Sequence, residues 1–282
     1  MTATAVEPAA PVVRARTITH PQTLARAMRF EWIKLRTLRS TWIGLGTVLL
    51  VLIGFAAIAS AISTGSVATS GGDGGPFEGD SPLATVLSGA DFSVLLVGVL
   101  GALSGAREYG SRMITATAAA VPRRWQIVVS KAAVLVAVVF PAALIGTVTA
   151  FGVGMGILAT GDGATLGLTD PGVLRSLVGM AGYLTAISLI GLSLGVLLRS
   201  VAGSIGALVA GILLLPALAG GLLPAGWDPI LQFLPSSAAA AFTTAMAAGD
   251  SVLAPGAGAL VLAAWVAVAL VASVVAVIKR DV

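Results

Sequence analysis

Between Trp42 and Ile278 the sequence falls into six apolar stretches, at about 42–62, 89–105, 132–158, 177–198, 204–223 and 257–278. A helix needs about 20 such residues to cross the roughly 30 Å hydrocarbon core of a bilayer. No soluble fold can hide that much apolar sequence. Of the 282 residues, 57% are hydrophobic and only 10% charged, with a mean hydropathy of +1.02, whereas about a quarter of the residues in a soluble domain are charged. The expected fold is therefore all-α: a polytopic membrane protein of six transmembrane helices in a domain over 42–282, preceded by a tail and an N-terminal amphipathic helix.

Charge placement sets the topology. Of the 16 Lys and Arg residues, seven precede the first span and five (Arg107, Arg112, Arg123, Arg124 and Lys131) lie between spans two and three. Arg199 and the pair Lys279/Arg280 fall on the same side, and only Arg175 falls on the other. Loops on the other side carry acids instead, such as Asp73, Glu78 and Asp80. The positive-inside rule then predicts a multi-pass protein of the cell (plasma) membrane with both termini cytoplasmic. Dropping one span would reverse every later loop and abolish the bias.

Residues 1–20 lack periodicity and read as a disordered cytoplasmic tail. No apolar run begins before residue 40, so no cleavable signal peptide is expected. Residues 21–41 differ. Leu24, Met28, Trp32, Leu35 and Leu38 recur at helical steps, and Arg26, Arg29, Lys34, Arg36 and Arg39 surround them. That pattern predicts a basic amphipathic helix lying in the membrane interface, with Trp32, Lys34, Arg36 and Arg39 as its contact residues. Pro141 predicts a kink in span three, and Pro216 interrupts span five. Ser236 or Ser237 is expected to cap a short helix running to Met246. Asp91 sits near the end of span two, where its carboxylate reaches water.

The sequence lacks the usual chemistry of a membrane enzyme. There is no phosphate-binding G-x-x-x-x-G-K-[ST] loop, no G-x-S-x-G and no H-E-x-x-H. Gly152, Gly154 and Gly156 lie inside an apolar run and read as helix-packing residues. Cysteine is absent, and the one histidine, His20, is in the tail. No catalytic, metal or cofactor-binding residue is expected on this chain, and no nucleic-acid partner. The span centres carry no charge, which gives little support to ion-coupled transport within the chain. Three small-xxx-small steps, Gly101/Gly105, Gly152/Gly156 and Gly191/Gly195, permit close helix approach within the bundle or between chains.

The loop from Arg107 to Lys131 is the best candidate for meeting a protein. Glu108 is a rare acid on the basic side, placed at a span end beside Tyr109 and Gly110. Residues 111–120 are rich in Ala and carry one charge, a poor composition for a solvated loop. Pro122-Arg123-Arg124-Trp125 then ends that segment and returns it to the interface.

Four stretches together resemble the membrane subunit of a type-2 ATP-binding-cassette (ABC) export permease, of the kind found in high-GC Gram-positive bacteria. They are Glu31 to Trp42 before span one; Leu96 to Gly101 followed by Arg107-Glu108-Tyr109-Gly110-Ser111; Ala120-Val121-Pro122-Arg123-Arg124 with Lys131; and Leu234-Pro235-Ser236-Ser237-Ala238 before the last span. The resemblance runs from about residue 24 to the end. It departs at Arg112 and Thr115, where Gly and Arg would be expected. What it implies is transport of substrate through a pathway formed by two permease chains, identical or paralogous. ATP would be bound and hydrolysed by a separate ABC ATPase subunit. Glu108, Tyr109, Gly110, Ser111, Arg112, Pro122, Arg123 and Arg124 would form the coupling element, the helix at 21–41 a brace, and the segment around Leu231 to Ala248 a closure of the far end. A membrane scaffold or assembly protein, or a secondary transporter with no ATPase, is the alternative.

Overall fold

The computed structural model describes residues 23–67, 79–110, 123–161, 164–222, 224–244 and 253–280. It is all-α. Six helical segments, Arg39–Ser63, Pro82–Gly110, Trp125–Leu158, Val173–Leu198, Val201–Ala219 and Pro255–Lys279, are long and apolar enough to cross a membrane. The protein is a polytopic membrane protein.

The first helix, α1 (Leu24–Thr37), carries Lys34 and Arg36 in its last turn, where they complement the helix dipole. It stops at Leu38, whose backbone is extended (φ −79°, ψ 106°). Span one, α2 (Arg39–Ser63), begins at the next residue. Arg39, expected in the interfacial helix, therefore opens the first span. The elbow between them is fastened by Trp42, whose indole N–H donates to the Arg36 carbonyl at 3.0 Å. That bond satisfies one of the carbonyls a helix end leaves open. Trp42→Phe keeps the ring but removes the donor. We expect it to cost about 1 kcal/mol or less, read as faster tryptic cleavage at Arg36 and Arg39 with little change in melting temperature.

The sequence pattern does not say which face of α1 meets the bundle. Ala27 and Glu31 are buried, while Trp32 is 45% exposed. The helix turns its Ala27/Glu31 line onto the bundle. Trp32 joins Phe30, Ile33, Trp42 and Ile43 in an exposed apolar girdle, the kind of belt that sits at a membrane interface.

A short helix, α3 (Pro82–Val86), leads into α4 (Ala90–Gly110), which completes span two. Span three, α5 (Trp125–Leu158), runs unbroken past Pro141 and starts seven residues before the apolar run, so that Lys131 lies inside the helix. Span four, α6 (Val173–Leu198), is the hub against which spans two, three, five and six pack. It ends at Arg199 in the left-handed region (φ 51°).

Span five comprises α7 (Val201–Val209), a π-helical turn (Ala210–Leu214) and α8 (Leu215–Leu222). The wide turn immediately precedes Pro216, which has no N–H to continue the ladder. A 3₁₀ turn (Ala225–Trp227), a one-turn helix α9 (Asp228–Leu231) and α10 (Pro235–Thr243) follow, then span six, α11 (Pro255–Lys279). Neither Ser236 nor Ser237 caps α10. The helix begins with Pro235, its N-cap is Leu234, and no side chain bonds there. With Pro235 favoured at the first helical position, the two serines fall at the second and third positions, inside the helix they were expected to cap. The predicted end at Met246 lies outside the described residues.

The α4–α6 contact is made by glycine. A Cβ on Gly101 would meet the Ser188 carbonyl, one on Gly105 the Leu192 carbonyl, and one on Gly191 the Gly98 carbonyl. Two of the three expected small-residue pairs thus face each other across this crossing. The third does not take part, because Gly152 and Gly156 both face open space. Side-chain hydroxyls add hydrogen bonds between helices: Ser273 donates to the Ser193 carbonyl at 3.2 Å and Thr147 to the Leu177 carbonyl at 3.4 Å.

Candidate coupling site at the basic end of the bundle

Alternating helix directions bring the ends of spans two, four and six, and the starts of spans one, three and five, to one end of the bundle. The contacts there confirm it. Arg107 donates to Ser40 Oγ at 3.0 Å, the Arg199 guanidinium lies 5.1 Å from the Tyr109 ring centroid, and Arg280 donates to the Leu197 carbonyl at 2.8 Å. Among the described residues, Arg175 is the only Lys or Arg at the other end.

At the centre of this basic end lies a buried ion cluster. Glu31 and Lys34 are three residues apart on α1, so both project from one face. Glu108 lies in the last turn of α4. Lys131 lies nearly two turns into α5. Lys131 Nζ donates to Glu31 Oε1 at 2.9 Å and to Glu108 Oε1 at 2.6 Å. Lys34 also donates to Glu108 Oε1. The Lys131, Glu108 and Glu31 side chains are 2%, 4% and 6% exposed, and Lys34 is 25% exposed. Two ammonium groups oppose two carboxylates, so the cluster is formally neutral and its charges are matched without a metal. A cavity of about 60 Å³ beside it, also lined by Ser40, Thr41 and Arg107, has room for water.

This neutrality explains two features of the fold. A lysine can sit inside an apolar helix because two carboxylates accept its hydrogen bonds. An acid can sit on the packed face of α1 because that lysine meets it. Removing any one partner would leave a charge stranded in a poorly solvated site.

The residues expected from sequence divide into three groups. Glu108 and Lys34 are in the cluster, and Tyr109 stands against Arg199. Arg124 reaches the Val277 carbonyl at 3.4 Å, joining the start of span three to the end of span six. Gly110, Arg123, Trp32, Arg36 and Arg39 are exposed at the same end. Ser111, Arg112 and Pro122 lie outside the described residues. Glu31 and Lys131 had no individual role in the sequence reading, yet they complete the cluster. A signal existed: Glu31 is the sole acid between Glu7 and Asp73, and no charged residue follows Lys131 before Asp162.

The cluster also joins the two helices that flank segment 111–122. The 111–122 segment leaves α4 two residues after Glu108 and rejoins described structure eight residues before Lys131. Both stems of the loop are therefore tied to the same ion cluster, and through it to α1. Compared with known protein families and with curated proteins, the sequence matches none.

Proposed function

We propose that this chain is the membrane subunit of an ATP-driven exporter of the ABC type-2 class, pairing with a second permease chain and with a separate ATPase. The observation that carries the reading is the ion cluster. A push on the 111–122 loop would be delivered to spans two and three through Glu108 and Lys131, and to α1 through Glu31 and Lys34. In this reading Tyr109, Gly110, Arg123 and Arg124 border the ATPase contact, and the exposed girdle of α1 rests in the interface as a brace. ATP is bound and hydrolysed on the partner, and this chain carries no catalytic group. The basic end faces the cytoplasm of the cell membrane, following the positive-inside rule.

Purification of the tagged chain from its native membranes in mild detergent, read by mass spectrometry, tests the proposal. The expected result is a stoichiometric ATPase subunit that is retained by wild type and lost from Arg123→Ala/Arg124→Ala. Those two side chains lie outside the ion cluster, and the one tertiary bond shown for them is the long 3.4 Å contact of Arg124 with the Val277 carbonyl, so the variant should insert normally and lose no more than about 1 kcal/mol of stability. Recovery of the chain without any ATPase across several detergents would favour a scaffold or a secondary transporter.

A further inference from the structure

At the end of the bundle away from the ion cluster, spans four and six separate. Near the basic end they touch through Ser273 and Ser193. Toward the far end α10 wedges between them: Phe242 packs against Gly179, and the Ala238 carbonyl packs against Gly258. The result is an apolar groove of about 1040 Å³, walled by spans four and six and closed behind by Phe140 of span three. On span four it extends from Leu174 to Leu189, about 22 Å at 1.5 Å per residue. That is longer than one leaflet of a roughly 30 Å core. Gly182 and Gly256 line it with open space where a Cβ would be.

Arg175 stands at the mouth of this groove. It is exposed, and it donates to the Thr244 carbonyl at 3.0 Å. A guanidinium carries five N–H donors in a fork suited to phosphate, so that one bond leaves others for a ligand. Asp170, the nearest acid in sequence, accepts from the Gly167 amide at 2.8 Å in its own turn. A recess lined almost wholly by apolar side chains, opening on lipid, is best filled by hydrocarbon, because an empty one forfeits the dispersion contacts of its walls. A single fixed cation at its headgroup end selects the sign of what fills it.

We propose that this groove is a binding site for an anionic phospholipid, with an acyl chain between spans four and six and the headgroup phosphate held by Arg175. The site depends only on the membrane-spanning fold and stands whether or not the chain works with an ATPase. Its occupant is an integral lipid of the bundle, taken from the leaflet at the end opposite the ion cluster.

The test is native mass spectrometry of the full chain in mild detergent, titrated with phosphatidylglycerol or phosphatidylcholine. Wild type is expected to retain phosphatidylglycerol in preference to phosphatidylcholine. Arg175→Gln should weaken phosphatidylglycerol binding about tenfold, the scale of one hydrogen bond to a charged group, and leave phosphatidylcholine unchanged. Gly182→Leu and Gly256→Leu, each placing a side chain in open space, should weaken both lipids. Circular dichroism checks that each variant keeps its helices. Equal binding of the two lipids by wild type, or equal phosphatidylglycerol binding by wild type and Arg175→Gln, would overturn the proposal. So would a change in chain–chain association, rather than in bound lipid, on filling the groove; that outcome would make the groove a contact with a second copy.

Discussion

Lys131→Met should lower stability by about 3–5 kcal/mol, the cost of removing one partner from a buried ion pair. Methionine approximates the length of the lysine stem, so the loss reports on charge more than on volume. Glu31 would lose the ammonium group it meets at 2.9 Å, and Glu108 would lose the one it meets at 2.6 Å. The first consequence is undocking of α1, since Glu31 is the buried polar residue of its packed face. Two readouts distinguish this from general damage. Trp32, Trp42 and Trp125 all lie near this end, so a thermal melt followed by tryptophan fluorescence reports on it. Trypsin should also cut sooner at Arg26, Arg29, Lys34 and Arg36. The double variant Glu31→Gln/Lys131→Met removes one charge of each sign and leaves the Lys34–Glu108 pair in place. It should recover much of the loss, a non-additivity expected only of residues in direct contact. If Lys131→Met melts and is cleaved like wild type, the cluster does not hold α1.

Gly101→Ala should be at least as damaging. Its added methyl group would stand on the Ser188 carbonyl, a backbone atom of the hub helix that has no rotamer to change. Relief requires α4 and α6 to move apart, which would also loosen Gly105, Gly191 and Gly195. Overpacking of this kind costs about 1–3 kcal/mol where side chains can adjust, and more is expected where the obstacle is backbone. The same substitution at Gly152 or Gly156 meets open space and should change the melting temperature little. Melting the three variants in one detergent is the measurement. An equal response would mean that α4 and α6 do not cross as closely as described.

Some of this was legible in the sequence. Apolar length marked the six spans, because a bilayer sets a minimum run and excludes charge from it. The end of α1 is not legible to within a few residues, because Arg39 and Ser40 are compatible with either helix. The start of span three is obscured for a different reason: Lys131 suggests a boundary, and only its two carboxylate partners allow it inside a helix. The Ser236/Ser237 cap failed because Pro235 occupies the first helical position.

The packed faces were not legible in the same way. In water, a helix shows its buried side by apolar periodicity. In lipid, the outward face is as apolar as the inward one, so the period carries no such information. Sequence therefore could not tell Gly105 and Gly195, which meet across a crossing, from Gly152 and Gly156, which meet nothing within the chain. Nor could it pair Glu31 with a lysine 100 residues away. The sequence by itself determined the number of spans and the concentration of basic residues at one end, because these follow from local transfer of residues into lipid. Tertiary structure alone decided which glycines meet and which four charges neutralise one another, because those depend on the rotation and crossing of whole helices.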